Sequence, residues 1–245
     1  MKVMVIIPAR LESSRFPGKV LSDVGGLPLV VHVLRRVQQA SLIEGVVVAT
    51  DSVQVRDAVV HHGGEAILTK GQYATGSDRV AAAAKHFDAD VFINVQADNG
   101  AIDGSVVDEV ARTFENPDVQ IVTPVCPFPS DADPTNPSKV KAVVGLGGQA
   151  LYFSRSPIPV NGPWLLHIGV YGYRASALQK FAGWERGQLE CIEDLEQLRF
   201  LENDTPIHTV NVIDGAIGVD TPPDLERLRH HLSTPTELTP PVPRH

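Results

Sequence analysis

Three cations fall in one short stretch of the chain, IIPARLESSRFPGKVL (Ile6–Leu21): Arg10, Arg15 and Lys19, set among Pro8, Pro17 and Gly18. Two planar guanidinium groups and a compact ammonium aimed into one space are what a polyphosphate requires. The forks meet phosphate oxygens in pairs, and the ammonium acts as a point charge. The same loop could be solvated, with its cations paired to surface carboxylates, and the cluster by itself does not choose. It contains neither GxxxxGK[ST] nor GxGxxG, so the fingerprints of P-loop ATPases and dinucleotide binders are missing from it. Two carboxylates carry a second piece of chemistry. Asp98 closes the run ADVFINVQAD, and Asp220 follows the apolar residues of GVDTPPDL. Brought to one cleft, they could hold one Mg2+ against substrate phosphates. Kept apart, each is an ordinary turn or helix-entry residue.

Strands must deliver these side chains, and the chain has the pattern for it. Val3–Ile7 is a buried-strand type of run, and Leu27–Ala40 has helical apolar spacing with Arg35, Arg36, Gln38 and Gln39 as its polar face. Gly45–Asp51 predicts a second strand and Val53–Gly63 a second helix; EAILT predicts a third strand. A helix over Gly76–Phe87 and a strand over Ala89–Asp98 come next. This β-α-β-α order implies a mostly parallel sheet with helices on both faces. In such sheets ligands lie beyond the carboxyl ends of the strands, which singles out Arg10–Lys19, Thr50–Asp51 and Gln96–Asp98. Beyond about residue 120 the texture becomes β-rich. It predicts strands in QIVTPVCPF, a hairpin around Gly147–Gly148, one strand over Leu165–Ala175, a helix near ASALQKFAGW and a short helix over Leu195–Asp204. IHTVNVI reads as a late strand, and Thr221–Leu232 as a last helix with Thr221 as N-cap and Pro222 at its first position. We expect one domain over residues 1–232, with a nucleotide-binding part to about 120 and an acceptor and dimerisation part over about 121–210. The proline-rich residues 233–245 read as a disordered tail.

At 245 residues the chain can bury a sizeable core, and its net charge of -8 argues against a general nucleic-acid binder. Cys126 and Cys191 match no metal-ligand spacing, and no apolar run reaches spanning length, so we expect a cytoplasmic protein with no membrane contact.

The motifs together resemble the CMP-Kdo synthetases, the 3-deoxy-manno-octulosonate (Kdo) cytidylyltransferases. The resemblance rests on IIPARLESSRFPGKVL, VVVATD, TGSDR, INVQAD, NPSKVKAV, ALYFSRSPIP, HIGVYGYRA, LECIEDLEQLR and GVDTPPDLERL, in the family's order from Val3 to about Leu232. It implies a Rossmann-like nucleotidyltransferase fold, a homodimer, and Mg2+-dependent transfer of CMP from CTP to an acidic acceptor with release of pyrophosphate. Carried onto this chain, Arg10, Arg15 and Lys19 match the triphosphate loop, with Arg10 and Lys19 counted as catalytic. Thr50, Asp51 and Thr75, Gly76, Ser77 and Arg79 match segments around the cytidine. Asp98 and Asp220 match the metal-binding aspartates and are counted as catalytic with Arg10 and Lys19. Gln96, Arg155, His167, Tyr171, Glu196 and Gln197 match positions lining the acceptor pocket.

The departures cluster. The family's Gln-Gly-Asp-Glu-Pro is here Gln96-Ala97-Asp98-Asn99-Gly100, and a longer charged segment is reduced to SPIPVNGPWLL. The basic residue that commonly precedes the histidine is Leu166, and the histidine of LEHIE is Cys191. Nucleotide and metal positions are spared, which suggests retained CTP chemistry with an altered acceptor. A smaller acid, for instance phosphonoformate, is the alternative to Kdo; a catalytically silent CTP-binding relative is a further one. His61–His62 and His230–His231 read as helix-end residues, Trp164 and Trp184 as packing, Cys126 as buried, and Glu193 and Asp194 as a solvated helix face.

Overall fold

Alternate residues of the first strand, β1 (Val3–Ala9), point to opposite sides of a sheet, and both sides are apolar. Val3, Val5 and Ile7 join one buried cluster, while Ile6 joins another. A strand buried on both faces must be covered by helices on both. The computed structural model, which describes residues 1–12, 16–213 and 218–233, has helices packed on each face of the sheet. After β1 come a 3-10 turn at Lys19–Leu21, the small hairpin of β2 (Asp23–Val24) and β3 (Leu27–Pro28), and α1 (Leu29–Val37). Then β4 (Gly45–Thr50), α2 (Val53–His61), β5 (Glu65–Leu68), α3 (Gly76–Ala84), β6 (Val91–Val95) and α4 (Gly104–Thr113) alternate. The second half holds β7 (Ile121–Pro127), β8 (Lys141–Val144), β9 (Ala150–Ser154), β10 (Leu165–His167), β11 (Val170–Arg174), α5 (Ala175–Gly183), α6 (Gln188–Glu193), α7 (Leu198–Glu202), β12 (His208–Asn211) and α8 (Pro222–Ser233).

The strands form one sheet in the order β5-β4-β1-β6-β11-β7-β10-β8-β9, with β12 parallel to β7. From β5 to β6 every pairing is parallel, and from β6 through β11 to β9 every pairing is antiparallel. The β-rich half therefore extends the sheet of the first half rather than standing beside it. Residues of α1, α2, α4 and α8 cover one face, and residues of α3, α5 and α7 cover the other. Each fully buried Val or Leu contributes about 2 kcal/mol of hydrophobic stabilisation.

Three sequence readings change. The stretch before residue 120 contains α4, for which no helix was predicted, although Asp103 caps it by accepting from Ser105 N at 2.9 Å and Val106, Val107, Val110 and Ala111 form its buried stripe. Arg36 does not join the polar face of α1: its Nε donates to Ile102 O at 2.5 Å and holds the approach to α4. Leu165–Ala175 is not one strand but two, β10 and β11, broken at Ile168–Gly169. The break faces Pro124 of β7, which has no N–H to offer a ladder; His167 lies opposite Val125 and Gly172 opposite Val122. Four residues thus span two on the partner strand, a bulge that turns this strand toward the site. Of the expected tail, Ser233 ends α8 and residues 234–245 lie outside the described residues.

Candidate active site

The carboxyl ends of β1, β4 and β6 open on one edge of the sheet, and the site is built there. After β6 the chain turns sharply, with Asn99 N donating to Gln96 O at 3.0 Å and Gly100 N to Asp98 O at 2.8 Å. The segment before α8 bridges to this turn: Val219 N donates to Asp98 O at 2.9 Å, and Asn99 pairs with Gly218. That bridge brings Asp220 beside Asp98. Helix α8 can lie close enough only because residue 100 is glycine, since a Cβ there would stand 2.2 Å from Leu228 Cδ2. Asp224 fixes the other side of Asp220, accepting from Asp220 N at 3.1 Å and from Thr221 N and Oγ1, each at 2.8 Å. Those hydrogen bonds hold the Asp224 carboxyl below the usual carboxylate range, although burial opposes them.

Lys19 fills the space between the aspartates. Its Nζ lies 2.7 Å from Asp98 Oδ2, 3.3 Å from Asp220 Oδ1 and 2.9 Å from Val219 O, which uses all three of its protons. The lysine side chain is 12% exposed. Two carboxylates converging on one ammonium define a place for a cation. Among the described residues no group of three or more His, Cys, Asp or Glu side chains is arranged to cage a metal. A two-carboxylate set is of the kind that would hold Mg2+ together with substrate phosphates. The residues present therefore fit the expected ion.

A cleft beside this cluster is lined by Arg10, Lys19, Tyr73, Thr75, Gly76 and Arg79, and by Gln96, Asp98 and Asp220. Arg79 is buried and held from three sides. It donates to Asp51 Oδ2 at 2.5 Å and Thr69 Oγ1 at 2.7 Å, and its guanidinium lies 5.1 Å from the centre of the Tyr73 ring. Thr75 and Asp78 form a capping box at the start of α3. A Cβ on residue 76 would stand 2.8 Å from Gln96 Nε2, so glycine there leaves that amide its place. Thr50 and Ser77 are fully buried behind the wall. Thr50 O accepts from Thr69 N at 2.8 Å, and Ser77 Oγ donates to Glu196 Oε1 at 2.8 Å. Arg15 lies outside the described residues.

A second cleft adjoins the first and shares Gln96, Asp98 and Asp220 with it. The bulge after β10 turns His167 and Tyr171 into this space, where Arg155, Lys139 and Arg227 also reach. His167 Nε2 is 2.9 Å from Thr123 Oγ1. That hydroxyl has one proton and stands 2.7 Å from Val170 O, so Nε2 donates and Nδ1 keeps its lone pair. Burial pushes the imidazole down to about 3, which keeps it neutral at physiological pH. Tyr171 donates to Gln197 Oε1 at 3.1 Å, and Gln197 Nε2 is buried without a hydrogen-bond partner among the described residues. Glu196 is not among the described residues that line the two clefts. It accepts from Ser77 N at 3.0 Å, and burial raises its carboxyl. Arg155 is tied to main-chain oxygens of Pro137, Glu193 and Asp194 at 2.8–2.9 Å.

Several participants had no reading from sequence. Tyr73 stands two residues before TGSDR, and Lys139 and Lys141 lie in NPSKVKAV. Glu193 is no solvated face residue, because it accepts from Ser154 Oγ at 2.8 Å and Arg155 N at 2.9 Å. Its signal, a carboxylate shortly before LEQLR, is too weak to find unaided.

Known proteins similar to this chain point the same way. The cytidylyltransferase family profile matches residues 4–207. The 3-deoxy-manno-octulosonate cytidylyltransferase of Paramagnetospirillum magneticum is 44% identical, over 92% of this chain and 96% of its own length. That of Bradyrhizobium diazoefficiens is 42% identical, over 95% and 98%. The solved structure of a CMP:2-keto-3-deoxy-manno-octonic acid synthetase complexed with CTP superposes with a TM-score of 0.90 at 37% identity, covering 95% of this chain and 99% of that one. With its sheet, its loop cations and its paired strand-end aspartates, the chain belongs to the CMP-Kdo synthetase family of cytidylyltransferases and is a nucleotidyltransferase.

Proposed function

We propose that the protein transfers CMP from CTP to Kdo or a related acidic acceptor, with Asp98 and Asp220 at the point of reaction. One observation carries this reading: the two clefts meet at Gln96, Asp98 and Asp220, so a donor in one and an acceptor in the other come together there. An acceptor oxygen attacks the α-phosphorus of CTP while the bond from that phosphorus to the β-phosphate oxygen breaks; pyrophosphate leaves from the opposite side, and any proton on the attacking oxygen passes to water. Arg10 and Lys19 border the triphosphate side and neutralise charge as it builds on the leaving oxygens. The first cleft would take the nucleotide, with Arg79 held by Asp51 and Tyr73 forming a rigid wall against it. Neutral His167 and Tyr171 orient the acceptor without taking its proton. Mg2+, held by Asp98 and Asp220, would supply Lewis-acid neutralisation of the phosphate oxygens.

Lys19 has a consequence for ion binding. While its ammonium stands between the aspartates, a divalent ion must compete with it; a triphosphate offers that ammonium another anion. Lys19→Met is expected to tighten Mn2+ binding to the nucleotide-free protein about tenfold, a free-energy change of roughly 1.4 kcal/mol. Electron paramagnetic resonance of free Mn2+ reads this directly, and an unchanged affinity would contradict it.

The acceptor is tested by pyrophosphate release from CTP against a panel of sugar acids and small phosphonates. Kdo is expected to be turned over best, in keeping with the relatives. Phosphonoformate belongs in the panel because Leu166, on the wall of the second cleft, adds no charge there. Faster turnover of phosphonoformate than of Kdo would move the assignment to the smaller acid. The homodimer that the family resemblance implies predicts twice the chain mass in light scattering. Leu151 on the edge strand β9 and Leu146 in the β8–β9 hairpin are exposed and could serve as part of that contact. No helix among the described residues is long and apolar enough to cross a membrane.

A further inference from the structure

Lys141 opens β8 with its side chain fully buried, and among the described residues no carboxylate forms an ion pair with it. Its Nζ donates instead to three carbonyl oxygens: Lys139 O at 2.7 Å, Asn136 O at 3.3 Å and Arg155 O. Three protons meet three carbonyls, so the ammonium is satisfied, but by main chain alone. Burial lowers its pKa, with Asp133 and Glu193 acting against that shift. A buried ammonium is expensive, and an apolar side chain would fill the same space more cheaply. What this one does is join three separate pieces of the second cleft. The 128–140 connection, with prolines at 129, 134 and 137, brings Asn136, Ser138 and Lys139 to the cleft wall. In the sheet Lys141 lies opposite Leu166 on one side and Ser154 on the other, the residues immediately before His167 and Arg155.

We propose that Lys141 is a positioning residue for the acceptor: by binding the carbonyls of Asn136, Lys139 and Arg155, its ammonium fixes the wall that presents Lys139 and Arg155 to an anion. This rests on the second cleft being the acceptor side. Arg155 closes the same connection from outside through Pro137 O at 2.8 Å, so one end of the wall survives loss of the lysine. The effect should therefore fall on the acceptor and spare CTP, whose cleft Lys141 does not touch.

The test compares Lys141→Met and Lys141→Gln with the wild type, using the best acidic acceptor of the panel. The acceptor KM is expected to rise about tenfold or more in Lys141→Met, the scale of a small misplacement in a positioning wall. The KM for CTP should stay within about twofold of wild type, since no CTP contact is moved. Amide exchange without substrate should speed up over residues 128–140 and remain unchanged in β1 and α3. Should the methionine variant fail to fold, Lys141→Gln decides, because its amide keeps two donors; the acceptor KM should then rise by less, still with CTP spared. A folded variant with the wild-type acceptor KM overturns the proposal. So does a parallel rise in both KM values with protection lost throughout, which would mark Lys141 as merely structural. A wild type that transfers CMP to no acidic acceptor would refute the reading of the cleft instead, and the exchange data would then still report whether the lysine pins the wall.

Discussion

Asp98→Asn and Asp220→Asn should each lower kcat/KM at least about 1000-fold, the scale of losing electrostatic stabilisation from a phosphoryl-transfer site. Asparagine keeps the shape of each side chain and leaves the main-chain bridge from Val219 N to Asp98 O intact, so the loss is one of charge. The nucleotide cleft keeps Arg10 and Arg79 in both variants, and CTP binding should fall far less than turnover. Because both carboxylates face one position, marked here by Lys19 Nζ at 2.7 and 3.3 Å, they are expected to act as a unit. The double variant should then be little worse than either single one. Steady-state pyrophosphate release measures all three. If Asp98→Asn keeps more than about a tenth of wild-type turnover while Asp220→Asn is inactive, the two do not serve one ion.

Arg199→Met should destabilise the fold by about 3–5 kcal/mol, the range for breaking a buried pair from one side. Arg199 is almost completely buried. Its Nε and Nη2 each lie 2.7 Å from Glu190, its Nη1 lies 2.9 Å from Asp78, and its guanidinium rests 4.0 Å from the Phe181 ring centre. Methionine fills much of the volume but leaves Glu190, itself fully buried, with Arg186 Nε at 3.0 Å as its one remaining ion-pair partner among the described residues. The same change frees Asp78, half of the capping box that starts α3. In urea denaturation the midpoint should fall with an unchanged slope, and the melting temperature should drop by roughly 10 °C for a chain of this size. Arg112→Ala, which removes an exposed pair with Glu109, is the control and should move stability by no more than about 0.5 kcal/mol. Equal midpoints for the two variants would show that the buried cluster does not hold this part of the fold.

Residues that end or directly succeed apolar runs were legible, because the β-α alternation tells which end of the sheet they occupy. Arg10, Asp51, Gln96 and Asp98 all stand at strand ends read directly from Val3–Ile7, Gly45–Asp51 and Ala89–Asp98. The convergence of Asp220 on Asp98 is a long-range event. It depends on the Asn99–Gly218 bridge and on a glycine at 100 that admits Leu228, and neither leaves a local pattern. The place of Lys19 was hidden for the same reason: its charge suggested phosphate, while the fold sets it between two carboxylates. Leu165–Ala175 read as a single strand because its apolar alternation runs through the break, and the cause, Pro124, sits on another strand. Glu193 and Glu196 are three residues apart in one stretch. One binds Ser154 and Arg155, and the other binds Ser77, a division that only tertiary packing decides.

Transfer of CMP from CTP to an acidic acceptor is proposed to take place across Asp98 and Asp220. It is tested most directly by offering each of the four nucleoside triphosphates with Kdo and Mg2+, and identifying the products by mass spectrometry alongside pyrophosphate. CTP should exceed UTP by about tenfold or more in kcat/KM, the discrimination that a pocket matched to one base provides. Each pyrophosphate should be matched by one CMP–acceptor conjugate, and Asp98→Asn should form neither. Comparable turnover of UTP, or pyrophosphate released without a conjugate, would contradict it.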